Sequence, residues 1–434
     1  MPGTGGTAAA KSRRGAKTRR RFLRAGAAAA AGAALWPAAR AQARQAPAME
    51  SIGDRISRVV REYDAQGDHR TGSAVDAESG RWLADRVDEA GIVPEIEWMG
   101  FSRIDIQAAY VEIGQRRADG VPLFDGGFTD PAGVSGRLGP LDAGAAIGFG
   151  DAGPRGGEAL ARYRRATTNR AAVAVTGGAG SGVPDGLALL DAPDFKDPFG
   201  PPVVQVASRH REWLAGAAAE GATARVVAHV IRRPVEVFNV TAVLRGAQPS
   251  LPPLLVMTPR SGWWTCASER GGGIAVWLEV IRAMVTGTAP ARTTVFLAST
   301  GHELGHYGLE EFLRTRSRLV RGSVGWIHLG ANFGAAVGGA PMLQASSAEL
   351  QRLALDAMTR AGEVADRLRP VGEPPGGEVR HVHDGGGPYI SLIGANGLFH
   401  HPQDRWPDAV DVDRLARYAT AFIDIAGQLA NAGA

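Results

Sequence analysis

Thr293-Thr-Val-Phe-Leu-Ala-Ser-Thr300 runs directly into Gly301-His-Glu-Leu-Gly-His-Tyr-Gly308, and the reading of this junction decides the fold. One parsing takes His302, Glu303 and His306 as HExxH, the helical zinc motif with two histidine ligands and a glutamate base. The other takes the β-rich run as a strand and the glycines at 301, 305 and 308 as a tight turn opening a helix. Such junctions are common places for functional groups in α/β proteins. The two parsings put different atoms on a metal and imply different enzymes.

HExxH has to lie mid-helix, so that His302 and His306 share one face a turn apart. Here a strand ends about two residues before the motif, and Gly305 sits inside the would-be helix, where it weakens helicity. A metzincin extension would need glycine and histidine where Leu309 and Phe312 stand. Nothing in the sequence marks another third ligand. The strand–turn–helix parsing is therefore the one carried forward.

The N-terminal segment sets the expected compartment. Residues 1–43 hold nine Lys/Arg and no acid, and Thr18-Arg-Arg-Arg-Phe-Leu-Arg24 looks like a twin-arginine export motif. Ala25 to Trp36 is a short, weakly apolar stretch, and Ala41-Gln42-Ala43 fits a small-x-small cleavage site. The stretch is too short to span a membrane. The expectation is a protein exported by the twin-arginine route to the periplasm or cell exterior, with no membrane span after cleavage.

The whole chain is +4, but removing nine of its 48 basic residues leaves 39 against 44 acidic ones, a net −5. The basic excess belongs to the leader, so no nucleic-acid partner is implied. A single cysteine, Cys266, excludes an internal disulfide despite the oxidising destination. It stands beside Trp263 and Trp264 and reads as a buried small residue rather than a nucleophile. Gly178 to Gly182 has glycine where a hydrolase elbow needs its serine, which removes that class.

About 390 mature residues exceed one ordinary core, so two domains are expected. Ile52 to Ala90 reads as helical, with Ile56, Val59, Val60 and Tyr63 on one face. Residues 106–235 are rich in Gly, Pro and Asp, with short apolar runs at Ala171–Val175 and Val203–Ala207 and a small helix near Glu212 to Glu220. Beyond them, strands at Val237–Leu244, Leu254–Met257, Thr293–Ala298 and Val324–Leu329 alternate with helices at Ile274–Val285 and Leu309–Arg321. A last amphipathic helix covers Val412–Ala430. The alternation predicts a layered α/β domain (50–105 and 236–434) interrupted by a β-rich insert (106–235).

This order resembles the co-catalytic zinc aminopeptidase and carboxypeptidase family that often carries a protease-associated domain insertion. The likeness rests on paired N-terminal helices and an insert ending in Gly200-Pro-Pro-Val-Val-Gln-Val206. It continues with the re-entry strand Phe238-Asn-Val-Thr-Ala-Val-Leu-Arg-Gly246, the octet itself, and Phe399-His-His-Pro-Gln-Asp404, similar to the family's Tyr-His-Thr-Pro-x-Asp. It covers nearly the whole mature chain. The fold it implies is a three-layer zinc-exopeptidase α/β fold with a mixed central sheet, plus a protease-associated-like insert.

The resemblance also implies a remodelled site. The family's first ligand histidine falls at Thr258 and its supporting Asp at Arg260. The metal-bridging Asp falls at Glu269, in Ala267-Ser-Glu-Arg-Gly-Gly-Gly273. The base-then-ligand glutamate pair becomes His302-Glu303, the later Asp ligand falls at Gly330, and the last ligand histidine is His400. Thr258 and Gly330 remove two of three ligands for one metal, whereas Glu269, Glu303 and His400 keep donors for the other. Three protein ligands plus an open position suit a catalytic zinc, and glutaminyl cyclases, which resemble this family, use such a single-metal set.

The expectation is one zinc held by Glu303, His400 and Glu269, with His302 as base or fourth ligand and Arg270 able to neutralise Glu269 by ion pairing. Arg380-His-Val-His-Asp384 is a His-rich polar loop near the family's substrate side, which makes His383 and Asp384 candidate substrate contacts. The implied function is an exported metal-dependent hydrolase or cyclase of peptides or small amides. The alternative is a pseudopeptidase that binds peptides through the retained cleft.

Overall fold

A computed structural model describes residues 50–152, 157–166, 170–177 and 184–433. The expected leader and the Gly178 to Gly182 stretch lie outside the described residues. In the first half of the chain the strands are β1 (Pro94–Ile113), β2 (Arg116–Pro122), β3 (Val134–Pro140), β4 (Ile147–Ala152), β5 (Ala171–Thr176), β6 (Val203–Ala207) and β7 (Thr223–Leu244). The second half adds β8 (Leu254–Pro259), β9 (Thr294–Ser299), β10 (Gly325–Leu329), β11 (Ala340–Ala345), β12 (Arg367–Leu368) and β13 (Tyr389–Ala395). The helices are α1 (Ile52–Asp64), α2 (Ala74–Glu89), α3 (Glu158–Arg165), α4 (Arg211–Glu220), α5 (Gly272–Thr286), α6 (Tyr307–Arg316), α7 (Arg318–Gly322), α8 (Ala348–Arg360), α9 (Val379–Asp384) and α10 (Val412–Asn431).

The strand order is β1-β2-β6-β5-β4-β3-β7-β9-β8-β10-β13-β11-β12. At its centre β9, β8, β10 and β13 run parallel, flanked by antiparallel β7 and β11, so the sheet is mixed as expected. Side-chain alternation divides these central strands between two apolar layers. Leu254, Val256, Phe296, Ala298, Ile327 and Leu329 face α1, α2, α5, α8 and α10. Leu255, Met257, Leu297, Trp326 and Tyr389 face α6, α7 and α9. Both faces are covered, which is why these strands are continuously apolar rather than alternating. The result is the layered α/β arrangement read from the alternation, in the three-layer form that the resemblance implied. Among the described residues no helix is long and apolar enough to cross a membrane.

β1 and β7 pair antiparallel from Pro94↔Ala242 to Glu112↔Arg225, interrupted by one irregularity between Ile106 and Ala108. This ribbon crosses the positions 105/106 and 235/236 where an insert was expected to begin and end. At its far end β2 to β6 and α4 enclose their own apolar cluster around Val111, Leu138, Val173, Val206 and Leu214.

The octet is a turn and not the helix that HExxH demands. Gly301, Gly305 and His306 all have positive φ (72°, 71° and 57°), and α6 starts only at Tyr307. Asn239 on β7 clamps the turn: its Oδ1 accepts from the Thr300 amide at 3.1 Å and its Nδ2 donates to the Gly308 carbonyl at 2.9 Å. A Cβ on Gly308 would lie 2.3 Å from Asn239 Oδ1 and 2.6 Å from the Thr300 carbonyl, so only glycine fits. The helix expected over 309–321 is broken at Ser317 into α6 and α7, and the paired helices expected within 52–90 are α1 and α2, each with a side-chain N-cap. Asn239→Ala would strand two buried backbone groups and is expected to cost about 2–4 kcal/mol in urea unfolding. A loss under about 0.5 kcal/mol would mean the turn does not depend on this side chain.

Candidate functional site

The parallel strands β9, β8 and β13 deliver their C-terminal ends to one place, the usual location of ligand sites in open α/β sheets. After β8 the chain passes Ser261, takes a left-handed turn at Cys266 and enters a π-helical turn, Ala267–Gly271, that leads into α5. Asp404 fixes this turn, its two carboxylate oxygens accepting from the Ser268 and Glu269 amides at 2.9 and 3.0 Å. Glu269 and Arg270 therefore project from the start of α5, Glu303 from the octet after β9, and His400 from the segment after β13.

Glu269, Glu303 and His400 do converge, but around a cation supplied by the chain. Arg270 Nη2 lies 2.8 Å from Glu303 Oε1 and 2.9 Å from Glu269 Oε1. Its Nε donates to the Ser261 carbonyl at 2.7 Å, which anchors the guanidinium in place. His400 Nδ1 donates to the Leu189 carbonyl at 2.6 Å, and Nε2 sits 3.3 Å from Glu269 Oε1 and 3.5 Å from Asp191 Oδ1. Ser261 Oγ accepts from the Gly301 amide at 2.8 Å and lies 3.4 Å from Glu303 Oε2. Glu269, Arg270 and His400 are fully buried and Glu303 is 2% exposed.

Burial on this scale makes the charges interdependent. Burial raises Glu303 to about 7, with Glu269 adding to the effect and Arg270 opposing it. Burial also works against ionised Glu269, but Arg270 and then His400 hold it down at about 2. For His400 burial favours the neutral ring, yet Glu269 and Asp191 raise it to about 9. Two carboxylates thus meet one guanidinium and one imidazolium, and the cluster is close to charge balance by itself.

His302 does not join this group. Its Nδ1 lies 3.2 Å from Glu378 Oε1, and Glu378 accepts from Ser299 Oγ at 2.8 and 2.7 Å. Burial, reinforced by Arg270, keeps the ring neutral. His306 Nδ1 lies 3.0 Å from His381 Nε2, and the rings of His302 and His306 are 4.8 Å apart. These rings border a cleft of about 290 Å³ that Asp191, Asn332, Met342, Arg369 and Phe399 also line.

His383 and Asp384 lie elsewhere. The expected loop is the short helix α9, so side chains two residues apart point about 200° apart. His381 faces His306, whereas His383 turns to the Tyr389 hydroxyl at 3.3 Å, and Asp384 pairs with Arg380 at 2.7 Å on the surface. Neither borders the cleft. Thr258 and Gly330, where the resemblance put ligands of the other metal, lie together beside Gly273. Thr258 Oγ1 donates to the Leu329 carbonyl at 2.8 Å, and a Cβ on Gly273 would lie 3.0 Å from Thr258 Oγ1 and 3.2 Å from the Gly330 carbonyl. Arg260 points away, donating to Asp76 Oδ1 at 2.7 Å and to the Phe238 carbonyl at 2.6 Å.

Three participants were not found by reading the sequence. Asp191 and the Leu189 carbonyl come from the segment before β6, whose backbone docks on the octet through Ala192 N to the Glu303 carbonyl at 2.8 Å. Glu378 follows Gly376-Gly377 immediately before the His-rich stretch, and an acid in that setting was the one local signal.

The donor set does not fit the zinc that the resemblance implies. An ion shared by Glu269 Oε1 and Glu303 Oε1 would coincide with the Arg270 guanidinium, and a ligating His400 would have to give up its Nε2 proton between two carboxylates. Among the described residues no group of three or more His, Cys, Asp and Glu is arranged to hold a metal ion.

No family profile matches the chain, and a search of curated proteins found no relative. Solved structures do match. BSAP, a zinc aminopeptidase from Bacillus subtilis, superposes with a TM-score of 0.71 at 14% identity, covering 88% of this chain and 96% of that one. The aminopeptidase from Aneurinibacillus sp. strain AM-1 gives 0.68 at 16% identity, covering 88% and 95%. A peptidase M28 precursor from Shewanella amazonensis gives 0.67 at 16% identity, covering 88% and 96%. At these identities the likeness establishes architecture, and the chain accordingly has the fold of the zinc aminopeptidases.

Proposed function

We propose that the chain is an exported peptide-binding protein built on the zinc-aminopeptidase fold, without that fold's metal-dependent hydrolysis. The observation that carries this reading is the Arg270 guanidinium held between Glu269 and Glu303. A catalytic zinc needs unprotonated donors and an open position for water, and this cluster offers donors already paired with cations. The cleft beside it supports binding. About 290 Å³ suits one or two amino-acid residues, with Asp191 and Arg369 as charged contacts for the backbone ends and Met342, Ile393 and Phe399 as an apolar wall. His302, held neutral against Glu378, serves as a hydrogen-bonding wall of the cleft.

One observation favours a second reading, a single-zinc amide hydrolase with Glu269, Glu303 and His400 as ligands and His302 as base. Buried Glu269 Oε1 and His400 Nε2 make no hydrogen bond and lie 3.3 Å apart, a separation that two donors on one ion would have. That reading requires Arg270 to leave a pocket where it is fully buried and hydrogen-bonded.

Calorimetric titration with di- and tripeptides, alongside aminoacyl anilide hydrolysis with and without added zinc, separates the two. Binding without zinc-stimulated turnover is expected, and Met342→Arg should weaken binding at least tenfold by filling the cleft. Zinc-dependent hydrolysis that Glu303→Ala abolishes would sink the binding reading.

The charge-balanced cluster also sets a pH dependence. His400 is raised from 6.5 to about 9, so its stabilising contribution is complete below pH 6.5 and is lost as pH rises through 9. Glu303, raised from 4.5 to about 7, and Asp404, raised from 3.8 to about 7, lose theirs earlier, by about pH 7. Glu269, lowered to about 2, loses its contribution only in acid. Unfolding free energy measured from pH 7 to 9.5 should therefore fall by on the order of 3 kcal/mol in the wild type. The fall should be clearly smaller in His400→Gln, where only groups such as buried Cys266 still contribute to it, and equal slopes in the two proteins would refute the assignment.

A further inference from the structure

We propose that Arg270 is the resident cation of this site, doing the electrostatic work of a metal ion, and that a zinc site made of Glu269, Glu303 and His400 lies masked beneath its side chain. The inference rests on the metal-free reading above and deepens it, because it names the group that keeps metal out.

The geometry points this way on three counts. First, the two carboxylates are buried and converge on a single nitrogen, Arg270 Nη2, at 2.8 and 2.9 Å. Two such carboxylates without a cation would be strongly destabilising, so something positive must stand between them. Secondly, the guanidinium fills that role without saturating the donors. Glu269 Oε1 and His400 Nε2 are fully buried yet make no hydrogen bond, although Arg270 lies within ion-pair distance of Glu269 Oε1. The two atoms face each other at 3.3 Å, close to the edge of a tetrahedron whose bonds to zinc are about 2.0–2.1 Å. Thirdly, each donor is also held by contacts other than Arg270. Asp404 fixes the Glu269 turn, Ser261 Oγ and Asn239 fix the Glu303 turn, and the Leu189 carbonyl orients the His400 ring from its other nitrogen. An imidazole held through Nδ1 with Nε2 directed at two acids is oriented as a metal ligand is. Truncating Arg270 would leave three oriented donors around the space its guanidinium vacates.

The test compares wild type, Arg270→Ala, Arg270→Lys and the double variant Arg270→Ala/His400→Ala. Each is purified without a His tag, incubated with zinc sulfate, passed through gel filtration and analysed for metal per chain, with thermal unfolding recorded in parallel. Wild type and Arg270→Lys, each with a cation in place, are expected to retain no stoichiometric zinc. Arg270→Ala is expected to retain about one zinc, with affinity at least a hundredfold above wild type and a melting temperature that rises with zinc. The double variant should lose both effects.

Stoichiometric zinc in the wild type would overturn the metal-free reading and this proposal with it. Zinc absent from wild type and from a folded Arg270→Ala would overturn the proposal alone. So would zinc in Arg270→Ala that survives removal of His400, since the ion would then sit elsewhere. If Arg270→Ala does not fold, folding restored by zinc but not by magnesium supports the proposal, and failure with both overturns it.

Discussion

A buried guanidinium held between two buried carboxylates is the constraint around which this end of the molecule is organised. Removing charges from water costs several kcal/mol per ion, and the cost is recovered only when each charge is paired and hydrogen-bonded in a fixed geometry. Arg270 meets that condition through Glu269, Glu303 and the Ser261 carbonyl. The same condition explains the neighbouring groups. His400 is drawn into its charged form because Glu269 Oε1 and Asp191 Oδ1 lie 3.3 and 3.5 Å from its Nε2. Asp404 must remain where it is because it satisfies the amides of the turn that carries Glu269 and Arg270. Loss of one member leaves an uncompensated charge for the others.

The fold supplies this cluster by bringing strand ends together. β8, β9 and β13 run parallel within the sheet, so the segments that follow them emerge on one edge. Each segment then uses backbone conformations reserved for turns, with left-handed residues at Cys266, Gly301, Gly305, His306 and His400. Residues 189–192 close the cluster from outside, since the Leu189 carbonyl and Asp191 reach His400 while Ala192 bonds the octet. The likeness to zinc aminopeptidase structures covers 88% of this chain. A fold of this kind fixes where a site lies without fixing what it does.

Parts of this were legible in the residues. The β-rich run before Gly301 and the glycines of the octet predicted strand, turn and helix, and the structure has that order because Gly308 packs against Asn239 with no room for a side chain. The convergence of Glu269, Glu303 and His400 was expected from a resemblance, residue by residue. The position of Arg270 was only half legible. Its adjacency to Glu269 suggested an ion pair, but its reach to Glu303 depends on a π-helical turn that no periodicity announces. The His-rich stretch was misjudged for a related reason: six residues are too few to display a helical period, so α9 looked like a loop.

The sequence by itself determined the layering, because burial on both faces demands continuously apolar central strands, and covering helices demand an apolar stripe at helical spacing. The resemblance added the expectation that Thr258 and Gly330 stand where metal ligands would. Only the tertiary structure decided what occupies the centre of the site. Whether an arginine screens one carboxylate in water or bridges two in a dry interior depends on distances of a few ångströms between residues 33 positions apart. Electrostatic interaction in a low-dielectric interior turns on those distances, and they are set by the packing of strands and turns, which local sequence does not encode.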